Sequence, residues 1–195
     1  METRKAIRKR RCIRKFKKKD VSMKLVFEIL DCGRWAPTAK DVQSWEFVIV
    51  KGEKKREIAE ACEQDWVGEA PVVIIVCANI ERVEFVLGER ARDYALMECS
   101  AAVENILLAA RDLGLGSAWV SFFDREKIRK LIGCPEKVEP VAVIPVGYPA
   151  EFPEAQRAPL SDFIHIEEFG RAWEGEIPKS YSKKWSASDL LKLFS

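Results

Sequence analysis

The chain has 195 residues, 48% of them hydrophobic and 33% charged, which is enough for one domain with a sizeable core and excludes the disordered and low-complexity classes. The formal net charge is +2, but eleven of the 33 cations fall between Arg4 and Lys19 with no acid among them, leaving 22 basic against 31 acidic residues elsewhere. Charge this local differs from the face-wide positive field of a nucleic-acid binder, and no apolar run reaches the ~18 residues of a membrane span.

The basic start has no apolar segment behind it, so it does not read as a secretory signal, and a cytoplasmic protein is expected. Residues 2–11 suit a short basic helix. Ser22 is a candidate N-cap for a helix through Trp35, with Leu25, Val26, Ile29 and Leu30 on one face. Gly33 and Pro37 break it, and residues 36–44 (APTAKDVQS) form a polar loop. A buried strand is expected over 45–51 and an exposed amphipathic helix over 53–64. The β-branched run 72–78 (VVIIVCA) reads as a central strand.

A long helix follows over about 89–113. Its apolar set, from Ala95 through Cys99, Val103 and Leu107 to Ala110, is too wide for a one-sided surface helix. Such a helix lies inside a large core or at a subunit interface. Residues 114–123 (GLGSAWVSFF) give a glycine cap and then a strand. A short helix starts at Asp124, and 138–149 supplies another apolar strand. Residues 186–195 suit a small closing helix in a tail, 170–195, that packs on the domain or on a partner. The irregular mixture of strands and helices points to an α+β fold.

Familiar catalytic signatures are missing. No GxGxxG opens a helix after a strand, and there is no Walker loop, HExxH or GxSxG. The six cysteines, Cys12, Cys32, Cys62, Cys77, Cys99 and Cys134, are scattered without metal-ligand spacing and are expected mostly as buried, reduced thiols. The single His165 alternates with apolar neighbours and is expected to be structural. A chain without its own evident nucleophile, metal site or general base fits chemistry carried by an organic cofactor.

Three segments, in order and spacing, resemble the flavin-dependent nitroreductase family, specifically its shorter members. They are RRCIRKF (10–16), WAPTAKDVQSWEFVIV (35–50) and AAVENILLAARDLGLGSAWVSFFD (101–124). The likeness covers about residues 4–169, so a 1–169 FMN-binding domain is expected. It implies an α/β sandwich with a mixed or antiparallel central sheet flanked by helices, assembled as an intertwined homodimer with FMN at the subunit interface. It also implies NADH or NADPH as the electron donor. The acceptor is a small nitroaromatic, quinone or similar planar molecule, reduced through the flavin, with no dedicated catalytic side chain. Nucleic acid and membrane are not expected partners.

By the same resemblance, Arg10, Arg11 and Arg14 contact the phosphate, ribityl and pyrimidine end of FMN, while Lys15 and Lys17–Lys19 form a solvated face. Forked guanidinium groups suit a phosphate dianion, and a cation beside the pyrimidine ring favours its reduction. Cys12 stands where the family usually has Ser. Either a backbone N–H takes over that contact, or the thiol is reactive. In the second segment Pro37, Thr38, Asp41 and Gln43 match a loop that contacts the flavin ring. Asp41 either caps the loop or faces a flavin N–H or Arg14. Ser121 and Phe122 fall where a backbone N–H reaches the hydride-accepting nitrogen, and Arg157 matches a C-terminal phosphate contact. Two other outcomes remain: a specialised flavin reaction such as reductive dehalogenation or flavin fragmentation, and a non-enzymatic nucleic-acid binder using the basic N-terminus.

Overall fold

A computed structural model of the chain describes residues 2–155 and 157–178. Packing divides it into two units, Met1–Pro153 and Glu154–Ser195. The helix expected over 186–195 lies outside the described residues. In chain order the first unit contains α1 (Thr3–Lys9), α2 (Met23–Gly33), β1 (Trp45–Val50), α3 (Lys54–Ala61), α4 (Trp66–Glu69), β2 (Val72–Asn79), α5 (Ile80–Leu87), α6 (Ala91–Asp112), β3 (Gly116–Ser117), α7 (Arg125–Ile132) and β4 (Val138–Gly147).

The sheet has the order β1-β2-β4-β3, with every adjacent pair antiparallel. β2 is covered on both faces, which explains its unbroken apolar run. Val72, Ile74, Val76 and Ala78 join the core formed with α2 and α6. Val73, Ile75 and Cys77 join the core formed with α3, α4 and α7. The architecture is therefore the α+β sandwich expected from sequence. A bulge interrupts the β2–β4 ladder: Val76 pairs with Ala142 and Cys77 with Pro140, so Val141 is skipped.

Short polar side chains cap the starts of α2, α5 and α7. Ser22 Oγ accepts from Leu25 N–H at 3.4 Å, and Asp124 Oδ1 accepts from Lys127 N–H at 2.9 Å. α5, which the sequence left unassigned, begins the same way, with Asn79 Oδ1 accepting from Arg82 N–H at 3.0 Å. α4 also appears without a sequence expectation. α6 buries Ala91, Ala95, Glu98, Cys99, Ala102, Val103, Ile106, Leu107 and Ala110 as one stripe against the sheet. Its neighbouring stripe runs through Met97, Ala101, Glu104, Leu108 and Arg111 and stays at least partly exposed.

The strand expected over 114–123 shrinks to Gly116–Ser117, with one further bridge at Val120. The reason is Pro145. Val120 and Val143 exchange both backbone hydrogen bonds, at 2.9 and 3.0 Å, so two residues back Ala118 and Pro145 should do the same. Ala118 N–H reaches Pro145 O at 3.4 Å, but proline has no N–H to return.

The basic N-terminus is not a loose tail. Residues 12–17 lie along β3 and the end of β4: Ile13 N–H donates to Ser117 O at 3.0 Å and Lys17 N–H to Tyr148 O at 2.8 Å. The Cys12–Ser117 bridge is parallel, so the arm is the mixed element of an otherwise antiparallel sheet. Two glycines admit it. A Cβ on Gly116 would meet Ile13 at 2.8 Å, and one on Gly147 would meet Pro71 at 2.6 Å and Phe16 at 2.7 Å. Among the described residues no helix is long and apolar enough to cross a membrane.

Candidate functional site

The arm sorts the basic cluster. Ile13 is buried and Phe16 half-buried, while Cys12 and Arg14 are exposed. Arg11 turns back onto the chain: its Nε donates to Pro153 O at 3.0 Å, and its Nη1 to Arg8 O at 2.8 Å and Arg10 O at 2.7 Å. A guanidinium engaged this way acts first as a clasp on the arm. Glu151 fixes the next turn, accepting from Arg14 N–H at 2.7 Å and Lys15 N–H at 3.1 Å.

Beside Arg11 is a cleft lined by Lys9, Arg10, Ser117, Arg111 and Phe152. Arg10 reaches α6, where its Nε lies 3.3 Å from the Glu104 carboxylate. That N–H is nevertheless buried without a hydrogen bond, and so is the Nε of Arg111. Buried guanidinium N–H groups without partners are costly and uncommon. Two such groups border one cationic cleft, with Ser117 contributing a further polar group. Arg111 was not foreseen: in the sequence it is the ordinary basic residue of a helix's last turn. Arg14 approaches the Trp66 ring, 5.9 Å from its centroid.

The second group of expected residues forms around a buried carboxylate. Glu98, 4% exposed, accepts from Ala39 N–H at 2.8 Å and from Ser44 N–H at 3.1 Å. The pattern this loop resembles has Pro at position 44, which has no N–H; Ser44 supplies one. Thr38 Oγ1 accepts from Gln43 N–H at 2.9 Å, and Gln43 Nε2 donates to Asp41 Oδ1 at 2.9 Å. Asp41 is thus bonded within its own loop to Gln43. Arg82 closes the rear, donating to Gln43 O at 2.6 Å and pairing with Glu46. Lys40, Asp41 and Gln43 all have left-handed backbone, with φ of 49°, 57° and 56°. Strain repeated over so short a loop persists only where surrounding bonds impose it, as Glu98 and Arg82 do here. Pro37 is exposed at the loop's entrance.

The two groups are far apart on one chain. Glu98 and Arg111 are thirteen residues apart on α6, about 20 Å along the axis. Ser121 and Phe122 lie on the exposed turn between Val120 and α7, with Phe122 75% exposed. Arg157 is an exposed residue of the second unit.

The thiols only partly follow expectation. Cys62, Cys77 and Cys99 are buried and Cys134 half-buried, but Cys12 and Cys32 are exposed. Burial pushes the Cys62 thiol up to about 11 and that of Cys99 up to about 12, so neither is a thiolate near neutral pH. His165 is also exposed, its ring 4.5 Å from that of Phe169.

Fold and cleft together define an α+β sandwich with a cationic cleft beside its N-terminal arm. The model of the nitroreductase family matches residues 7–66 and 60–148. A protein of Methanothermobacter thermautotrophicus, provisionally named an NADH dehydrogenase/NAD(P)H nitroreductase, is 38% identical over 87% of this chain and 88% of its own. The solved structure of an FMN-dependent nitroreductase from Clostridium difficile superposes with a TM-score of 0.73 at 27% identity, covering 84% of this chain and 98% of that one. An iodotyrosine deiodinase of Thermotoga neapolitana is 27% identical over 73% of this chain and 86% of its own. This chain belongs to the nitroreductase family, and it is an oxidoreductase enzyme.

Proposed function

We propose that this protein binds FMN, takes electrons from NADH or NADPH, and passes them to planar small-molecule acceptors such as nitroaromatics or quinones. The observation that carries the reading is the cleft in which the Nε–H groups of Arg10 and Arg111 are buried without hydrogen bonds. An FMN phosphate is a dianion whose oxygens match forked guanidinium donors, so the residues present fit the group. Arg10 and Arg111 would hold the phosphate, with the Ser117 hydroxyl beside them and Glu104 keeping Arg10 aimed across the cleft. When bound, FMN supplies hydride acceptance and donation. The chain's own part is to anchor it, to place the Arg14 cation where negative charge develops, and to offer apolar walls.

The same reading calls for a second copy of the chain. The Pro37–Gln43 loop is fixed on Glu98, about 20 Å from Arg111 along α6, so it meets a flavin held in the arginine cleft of a partner. Exposed apolar side chains on α2 and α6, Phe27 and Met97 among them, support such a pairing.

The absorption spectrum of the purified protein tests the proposal. Flavin bands that bleach anaerobically with NADH or NADPH are expected. A colourless protein that takes up no added FMN overturns the cofactor assignment. A yellow protein that neither nucleotide bleaches overturns the electron donor. A second reading, reductive dehalogenation on the same cofactor, draws on the likeness to the deiodinase. Iodide release from iodotyrosine by the reduced protein, without nitroaromatic turnover, selects it.

A further inference from the structure

Away from the cleft, two thiols meet inside the second core. Cys77, on β2 beside the bulge, and Cys134, just after α7, have their sulfurs 3.7 Å apart. The contact spans 57 residues of sequence. It is built rather than incidental. The Cys134 N–H donates to Arg129 O at 3.0 Å, and Val138 N–H donates to Pro135 O at 3.1 Å, fixing the backbone on either side. Cys77 is 1% exposed, and Cys134 is half-buried. The two members of the pair therefore differ in access to solvent.

Burial separates them further. It holds the Cys134 thiol above its ordinary value, and contact with Cys77 and the Arg129 guanidinium offset only part of that rise. Burial, reinforced by Cys134 and Cys99, pushes the Cys77 thiol much higher. Cys134 is thus the member an oxidant meets, and Cys77 the one in contact to resolve the product. A disulfide needs the sulfurs to close by about 1.7 Å from their present contact, a distance within reach of side-chain rotation. The expected sequence for such a pair runs through a sulfenic acid.

We propose that Cys77 and Cys134 form a peroxide-responsive oxidation site that closes to an intramolecular disulfide. The Cys134 sulfur attacks one oxygen of hydrogen peroxide and gives up its proton as it does so. The O–O bond breaks, and the second oxygen leaves and is protonated as water, giving the Cys134 sulfenic acid. The Cys77 sulfur then attacks the sulfenic sulfur. The S–S bond forms, the S–O bond breaks, and hydroxide takes the Cys77 proton to leave as a second water. In total the two thiols lose two electrons and two protons, and one peroxide becomes two waters. The product ties the segment after α7 to the central strand, away from the arm, the arginine cleft and the Pro37–Gln43 loop.

The test uses the full-length protein, oxidised in its folded state with hydrogen peroxide, quenched with catalase, denatured in N-ethylmaleimide and mapped by mass spectrometry. A linked peptide pair carrying Cys77 and Cys134, two hydrogens lighter than the separate peptides and reversed by dithiothreitol, is expected. Cys134→Ser should abolish the link, while a Cys12→Ser, Cys32→Ser double variant should retain it. Because Cys77 lies in the core, Cys134→Ser at its half-buried site is the deciding variant. Circular dichroism checks that it is folded. The unmodified protein settles the matter by itself. If Cys77 remains alkylatable after peroxide treatment, whatever becomes of Cys134, the proposal is wrong. A Cys77 found linked to Cys99 also overturns it.

Discussion

Arg10 and Arg11 are adjacent and chemically identical, yet they do different work. Arg11 directs three donor contacts to main-chain carbonyls, whereas Arg10 lines the cleft, ion-paired to Glu104 but with no hydrogen bond from its Nε–H. The sequence could set the arginines apart from the lysines but not Arg10 from Arg11, because that division follows from how the arm seats Ile13 against Gly116. Replacing Arg10 by Ala is expected to weaken FMN binding about tenfold or more, the size of a hydrogen bond to a charged group. Lys18→Ala should change it less than about twofold. Titration of the apoprotein with FMN measures both, and equal losses would mean that the cluster acts through bulk charge. Arg11→Ala should instead lower the denaturation midpoint while leaving FMN affinity closer to that of the parent. Glu98 was overlooked for another reason. It interrupts an apolar helix and reads as a surface acid, although its register with Ala95, Cys99 and Ala102 places it in the buried stripe, and an acid there was the available signal. Glu98→Gln keeps the shape but turns an NH2 group toward one of two donor N–H groups. A loss of about 1–3 kcal/mol in urea unfolding is expected, and an unchanged midpoint would remove Glu98 as the holder of the loop.

Among the elements, legibility followed covering. β2 could be read because both faces are buried, and α6 because its apolar positions recur at helical spacing. β3 was misjudged because an apolar run carries no mark of which main-chain groups find partners; Pro145, on the neighbouring strand, decides that. α5 was missed because Ile80–Leu87 follows a strand without a turn residue to announce it, and its cap, Asn79, is also the last residue of β2. The arm depends on the glycines opposite it. Gly116→Ala would bring a methyl group to 2.8 Å from Ile13, and overpacking of this kind costs about 1–3 kcal/mol. The expected outcome is an arm that detaches before the sheet unfolds. Faster hydrogen exchange at the Ile13 amide, which donates to Ser117 O, would report it, while the β2 amides stay protected. Uniform exchange across both segments would mean that the arm folds with the sheet as one unit.

At the scale of the whole molecule, the separation of the two half-sites and the exposed stripe of α6 have the same explanation. The wide apolar set expected on α6, from Ala95 through Cys99, Val103 and Leu107 to Ala110, is buried in the chain's own core. Beside it α6 presents a second apolar stripe, Met97, Ala101 and Leu108, which continues through Glu104 to Arg111 at the cleft. An interface along that stripe would end at the proposed FMN cleft, so assembly and flavin binding are expected to be coupled. Met97 is 58% exposed on the single chain, and a charge there should cost an isolated subunit little, within about 0.5 kcal/mol. In a dimer the same charge would be buried against a partner without a counter-ion, which is far more costly. Met97→Glu is therefore expected to sediment as a folded monomer and to lose its flavin in the same step, with Pro37–Gln43 no longer supplied by the second copy. Sedimentation velocity recorded at both protein and flavin wavelengths measures the two together. A monomer that kept full flavin occupancy would show that one chain completes the site, and the division of the site between two copies would be abandoned.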